Sequence, residues 1–337
     1  MERNGICVAG NMTVDILYPV QGLPKPGELT SIQDNIQRSS GGALCNVIGD
    51  LAKMDSSLPL TALGRIGTDA EGDFLIETLK PYKNVDTLIK REGKTSFTAV
   101  MADEISKERT FFHYRGANAA LCEEDFNWDK IPNAILHIGY ILLLDALDEG
   151  DAEYGTKMAK LLCRAKQRGI KTSVDVVSEI GDRFKRLVPP ALKYSDYCII
   201  NEIEAEQITG IKLRNGAGGL IAGNLPDALK AIKSFGVTEW AAIHCPEGGY
   251  GLDQKGAYIE SAAINLPVNL IKGKVGAGDA FCSGVLYVAS RGKSLEEGLE
   301  LGNAAAAACL TESGAVEGMV SVEELMKLRA KFGSVPG

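Results

Sequence analysis

Gly276-Ala277-Gly278-Asp279-Ala280-Phe281 sets a side-chain-poor loop directly before a carboxylate and an apolar run that continues through Val288. Glycine at 276 and 278 lets the backbone turn sharply and approach a ligand closely. A helix starting here leaves its first N–H groups without intrahelical partners at the positive end of its dipole, where an anion such as phosphate binds. Asp279 then falls at the cap or in the first turn, close enough to such an anion to accept a proton from an incoming hydroxyl. A carboxylate that merely caps a helix after a glycine turn fits the same letters, so the stretch needs partners elsewhere in the chain.

The bulk numbers describe ordinary globular material. At 337 residues, 45% hydrophobic and 24% charged, the chain is long enough for one large α/β domain or two smaller ones, with a substantial core. A net charge of −8 without clustered Lys and Arg is the wrong sign for nucleic acid or an anionic membrane surface. Met1 to Asn4 leads straight into the strand-like Gly5-Ile6-Cys7-Val8-Ala9-Gly10, and no apolar run approaches the roughly 20 residues of a membrane span, so a cytoplasmic protein is expected. The eight cysteines stand singly with no Cys-x-x-Cys pair, which argues against a disulfide framework or a structural metal. His113, His137 and His244 are far apart, and packing is the expected role of each.

The first 120 residues carry short, turn-bounded β signals: 6–9, 14–20, 29–36, 60–66, 96–102 and 109–114. The segments 12–38 and 94–118, the second interrupted by the charged turn 103–108, read as hairpins forming a small β flap. From Ala134 onward strands alternate with helices, at 135–140, 151–168, 172–176, 181–193 and 197–200, and the chain closes with three helices beginning near 279, 294 and 321. This alternation predicts a mostly parallel α/β sheet covered by helices on both faces. The alanine run 304–308 favours a helix that packs closely on a neighbour.

Several nucleotide motifs are excluded. Gly93-Lys94-Thr95 and Gly292-Lys293-Ser294 lack the glycine a P-loop requires upstream, where Leu88 and Tyr287 stand. No Gly-x-Gly-x-x-Gly follows the first strand, and Gly-x-Ser-x-Gly is absent. Three constellations remain. Ser40-Gly41-Gly42-Ala43-Leu44-Cys45-Asn46 joins a backbone-exposing turn to an amide that can both donate and accept. Asn11 and Asp15, four apart after the first strand, suit vicinal hydroxyls or a simple turn. Asn201-Glu202-Ile203-Glu204 ends a buried-looking strand, where ligands collect in open α/β sheets, and suits Mg²⁺ with its waters.

In this order and at these separations, Gly41-Gly42-x-x-x-Asn46, Asn201-x-x-Glu204 and Gly276-Ala277-Gly278-Asp279-Ala280-Phe281-x-x-Gly284 resemble the ribokinase or PfkB family of carbohydrate kinases. Gly10-Asn11-x-x-x-Asp15, Pro24-x-Pro26-Gly27-Glu28, Gly64-Arg65-Ile66-Gly67-Thr68-Asp69-x-x-Gly72 and Asn303-Ala304-Ala305-Ala306-Ala307 extend the match over nearly the whole chain. The resemblance implies a doubly wound, ribokinase-like α/β core with 1–337 forming one domain, a β lid over the sugar that can also form a homodimer contact, and transfer of phosphate from ATP to a hydroxymethyl group of a small sugar or sugar acid. It implies that Asp279 is the general base and that the backbone of Gly276, Ala277, Gly278 and Asp279 is the anion hole. Asn201 and Glu204 would organise Mg²⁺, chiefly through water, and Gly249 and Asn303 would lie at the nucleotide. Asn11, Asp15, Gly41, Gly42 and Asn46 would hold the sugar. Arg115 itself suits either a bidentate contact to a carboxylate or phosphate on the substrate or a solvated place on the lid.

The sequence departs from the family at Gly273-Lys274-Val275, where relatives carry an acidic lead-in belonging to a monovalent-cation site. Potassium use is therefore doubtful, and Lys274 is expected either to supply part of that charge or to reach the nucleotide's phosphates directly. Tyr114-Arg115 and Gly116 to Leu121 mix the patterns of different sugar kinases. A nucleoside kinase stacking a base on Phe112 and Tyr114, or a sugar sensor that has lost transfer, stands as the alternative.

Overall fold

A computed structural model describes residues 3–106, 108–178 and 181–335. Lys107 of the charged lid turn lies outside the described residues.

Nine strands form the main sheet in the order Tyr258–Ala262, Gly248–Leu252, Trp240–Cys245, Tyr197–Asn201, Lys171–Val176, Ile135–Ile141, Ile6–Gly10, Leu60–Ile66 and Val85–Arg91. The seven from Trp240–Cys245 to Val85–Arg91 are parallel, and the last two in sequence fold back antiparallel. Val8, Ile138, Ile199 and Ala242 are fully buried, as strands covered on both faces require. One core layer holds the helices Ala43–Met54, Ala277–Ser290 and Leu295–Cys309; the opposite layer holds Lys157–Gln167, Phe184–Leu192 and Leu225–Ser234.

The alanine-rich helix packs closely, as expected: a Cβ on Gly284 would lie 2.7 Å from Gly302 Cα in the neighbouring helix. Among the described residues no helix is long and apolar enough to cross a membrane.

A separate four-stranded sheet, in the order Gln37–Gly41, Thr13–Val20, Ser96–Asp103 and Arg109–Tyr114, is the lid. Two expected elements differ. Residues 29–36 form no strand beyond an isolated bridge between Val20 and Ile32, because Leu29, Ile32 and Ile36 face solvent and find no sheet to pack on. The helix expected over 151–168 begins only at Lys157, after a short hairpin pairing Gly150–Asp151 with Gly155–Thr156; the Thr156 side chain caps it by accepting from Ala159 N.

Parallel strands deliver their carboxyl ends to one edge of the sheet, and that edge collects Gly10, Tyr140, Asp175, Asn201 and His244. It is where ligands bind in such sheets.

Candidate active site

Asp279 is the third residue of the helix Ala277–Ser290 and only 6% exposed. Its Oδ1 accepts from the Tyr140 hydroxyl at 2.6 Å, and its Oδ2 accepts from Asn46 Nδ2 at 2.8 Å. Burial raises the carboxyl's pKa above its ordinary value, and these two hydrogen bonds offset only part of that rise. Gly276 caps the helix with φ 80°, and its carbonyl accepts from Ala280 N at 2.8 Å. The N–H groups of Ala277, Gly278 and Asp279 precede that first bond and have no intrahelical acceptor.

Two cavities meet at this carboxylate. The first, about 560 Å³, lies under the lid and is walled by Asn11, Asp15, Gly42, Asn46, Arg115 and Tyr140 among others. Three polar atoms in the wall, Asn11 Nδ2, Thr13 Oγ1 and Asn46 Oδ1, are buried with no hydrogen-bond partner. Leaving such groups unpaired is costly, so donors and acceptors gathered around one space suit a hydroxylated ligand. Gly42 makes the turn possible: its φ is 85°, and a Cβ there would lie 2.7 Å from the Asn11 carbonyl oxygen. Gly41 does not line the cavity. A Cβ on it would meet Asp15 Oδ2 at 2.2 Å, so its missing side chain makes room for that carboxylate. Burial raises Asp15 to about 6, against a hydrogen bond from Thr98 that lowers it and the nearby Asp279 charge that raises it further. Arg115 donates to the Leu142 carbonyl at 2.6 Å and to Asp145 at 2.8 Å, so the lid end is tied to the core.

The second cavity, about 440 Å³, lies on the other side of Asp279 and holds Asp175, Asn201, Glu204, Lys274 and the 276–279 backbone. Asn201 and Glu204 form a capping box: Asn201 Oδ1 accepts from Glu204 N at 2.8 Å, and Glu204 Oε2 accepts from Asn201 N at 3.0 Å. Glu204 Oε1 accepts from Ser178 Oγ at 2.8 Å, and burial raises the Glu204 carboxyl to about 7. An apolar cleft of about 490 Å³ adjoins, with Ala306, Ala307 and Leu310 in one wall and Lys274, Ala277 and Gly278 at its junction with the second cavity. Asn303 lines it while donating to the Ser261 carbonyl at 2.8 Å.

The pfkB family carbohydrate kinase model matches residues 3–321. The chain belongs to this family. It is 24% identical to the ribokinase of Staphylococcus aureus over 331 residues, covering 96% of this chain and 98% of that one. Among solved structures it resembles Thermotoga maritima ribokinase (TM-score 0.77, 21% identity, covering 97% and 99% of the two chains). It also resembles Arabidopsis thaliana ribokinase, solved with ribose and ATP (TM-score 0.76, 22% identity, covering 97% and 98%). These likenesses match the observed architecture, a large sheet between helices with a separate lid sheet.

The structure alters the reading of several residues of this pfkB kinase. Gly249, expected at the nucleotide, pairs with His244 and Ser261 inside the main sheet; a Cβ there would strike the Phe281 ring at 2.7 Å, so it backs the helix and does not line the cleft. Phe112 and Tyr114 do not line the cavity. Side chains alternate along the strand Arg109–Tyr114, so Arg109, Phe111 and His113 face inward while Tyr114 stacks with Phe97 on the other face, ring centroids 5.4 Å apart. His137 is a buried packing residue bonded to Ser173 Oγ, as expected. His244 differs: its ring lies against Phe281 and Gly278 in the cavity wall, and burial lowers its pKa to about 4. Tyr140 and Asp175 escaped sequence reasoning although both sit at carboxyl ends of parallel strands, the signal that singled out Asn201.

Proposed function

We propose that this chain transfers the γ-phosphoryl group of ATP to a hydroxymethyl group of a small sugar or sugar acid. The observation that carries the reading is Asp279, one carboxylate shared by a cavity lined with orphaned hydrogen-bonding atoms and a cavity lined with free helix N–H groups. The amides of Asn11 and Asn46, with Asp15, hold the sugar hydroxyls. Asp279 removes the proton from the acceptor hydroxyl as its oxygen bonds to the γ-phosphorus and the bond to the bridging oxygen of ADP breaks. The N–H groups of 277–279 stabilise the charge on the transferring phosphoryl. The apolar cleft beside Ala306 and Ala307 takes the adenosine.

Among the described residues no three His, Cys, Asp or Glu side chains gather to cage a metal ion, and both Glu204 oxygens already accept hydrogen bonds. Asn201, Glu204 and Asp175 therefore fit a magnesium ion that keeps several of its waters. Mg²⁺ bound there would neutralise developing charge on the phosphates. A protein of the same fold from Escherichia coli was solved with ATP and Mg²⁺.

An ADP-release assay over ribose, fructose, 2-keto-3-deoxygluconate, 5-dehydro-2-deoxygluconate and nucleosides tests the reading. Turnover is expected on a sugar or sugar acid. Turnover confined to nucleosides would replace it, as would sugar binding without turnover.

The lead-in loop supports a second expectation. The Cys309 thiol lies 3.2 Å from both the Val275 and Ala315 carbonyl oxygens, and Lys274 sits exposed between the phosphate-side cavities with no ion pair among the described residues. We infer that Lys274 supplies a fixed charge and that the rate holds steady when potassium is exchanged for a bulky organic cation. A rate rising steeply with potassium concentration contradicts this.

A further inference from the structure

We propose that Tyr140 positions the general base: its phenol O–H, donated to Asp279 Oδ1, keeps the carboxylate ionised and oriented in the enzyme before substrate arrives. The inference rests on Asp279 being that base.

Tyr140 is locked on the sugar side. Its backbone N–H donates to Asn11 Oδ1 at 2.7 Å, and Asn11 N donates to the Gly139 carbonyl at 2.8 Å. Its side chain lines both cavities and reaches Asp279 Oδ1 at 2.6 Å. The residue that walls the sugar cavity is thereby joined through one side chain to the base.

The surroundings explain why a donor is needed there. Asp15 from the lid, Asp50 on the helix Ala43–Met54, Asp175 from the neighbouring strand and Glu204 from the helix Glu202–Thr209 share an electrostatic field with Asp279. Cys282 lies on its own helix, and its thiol is pushed up by burial. Lys274 lines the same cavity from the lead-in loop, while burial keeps His244 neutral. Burial favours a protonated Asp279, which cannot accept the substrate's proton. Among the described residues, Asn46 and Tyr140 are the side chains that donate to it. Burial and the Asp279 charge raise the phenol's own pKa well above its ordinary value, so Tyr140 acts as donor and not as a second base.

The test is kcat/KM against pH, which reports ionisation in the free enzyme. A hydrogen bond to the charged form lowers the carboxyl's pKa, so its removal raises that pKa and moves the acidic limb to higher pH. For Tyr140→Phe the expected displacement is about one pH unit, typical of a charge-assisted bond, with activity recovering on the alkaline side of the limb. A limb that stays in place overturns the proposal, whether activity is intact or lowered equally at every pH. Site-specific 3-fluorotyrosine at position 140 supplies a second measurement in a side chain of nearly unchanged shape. Its more acidic phenol strengthens the bond and moves the limb to lower pH; no movement overturns the proposal. The base assignment fails separately, if Asp279→Asn turns over normally.

Discussion

Asp279→Asn is expected to lower kcat by ~10²–10⁴-fold, the range lost with a positioned general base, while sugar and ATP bind nearly as before. The exchange is close to isosteric, and the site can absorb it. An amide presents one acceptor and two donors, the Tyr140 hydroxyl can rotate to accept, and Asn46 has an unpartnered Oδ1 to receive a donated N–H. The substitution also removes a buried negative charge from the neighbourhood of Asp175, Glu204 and Asp50, so thermal stability should be unchanged or raised. Calorimetric titration with sugar and with a non-hydrolysable ATP analogue separates binding from chemistry, and a melting curve excludes misfolding. Near-normal turnover would remove Asp279 from the mechanism. A loss of both binding and folding would mean its main task is to hold Asn46 and Tyr140 in place.

What the sequence disclosed and what it hid follow one physical rule. Period-two alternation marked the lid strands, and Arg109–Tyr114 lies where it was expected, but alternation alone does not tell which of its two faces meets the substrate. The aromatic pair therefore had to be reassigned from Phe112 and Tyr114 to Phe111. Glycine motifs disclosed the backbone of the site because Gly42 and Gly276 answer to a steric demand written in the residue type itself. Tyr140 and Asp175 carry no such mark. They belong to the site because the parallel register brings the ends of Ile135–Ile141 and Lys171–Val176 beside Gly10 and Asn201, a relation between segments far apart in the chain. Gly249 shows the reverse error, since a glycine required by packing against Phe281 resembles one required by a nucleotide.

The helix start offers the second large expected effect. Gly276 has φ 80°, and a Cβ there would lie 2.6 Å from Ala315 Cβ and 2.7 Å from Ala315 Cα. Gly276→Ala therefore adds left-handed strain of roughly 1–2 kcal/mol to an overlap that backbone movement alone can relieve. Any movement of the 313–315 segment or of the cap turns the N–H groups of 277–279 away from the γ-phosphoryl position. Losing even one such donor costs ~10²–10³-fold in kcat, so a fall of at least ~10²-fold is expected. The sugar's KM should change less than kcat, because Asn11, Asp15 and Asn46 belong to other elements, although Gly276 also lines the sugar cavity. Gly292 separates strain from displacement: it has φ 66°, and a Cβ there would meet nothing within 4 Å. Gly292→Ala carries the strain without the overlap, so it should show a smaller drop in melting temperature and full turnover. If both variants keep their rate, the amides at the helix start do not form the anion hole; a rate loss confined to Gly276→Ala assigns it to them.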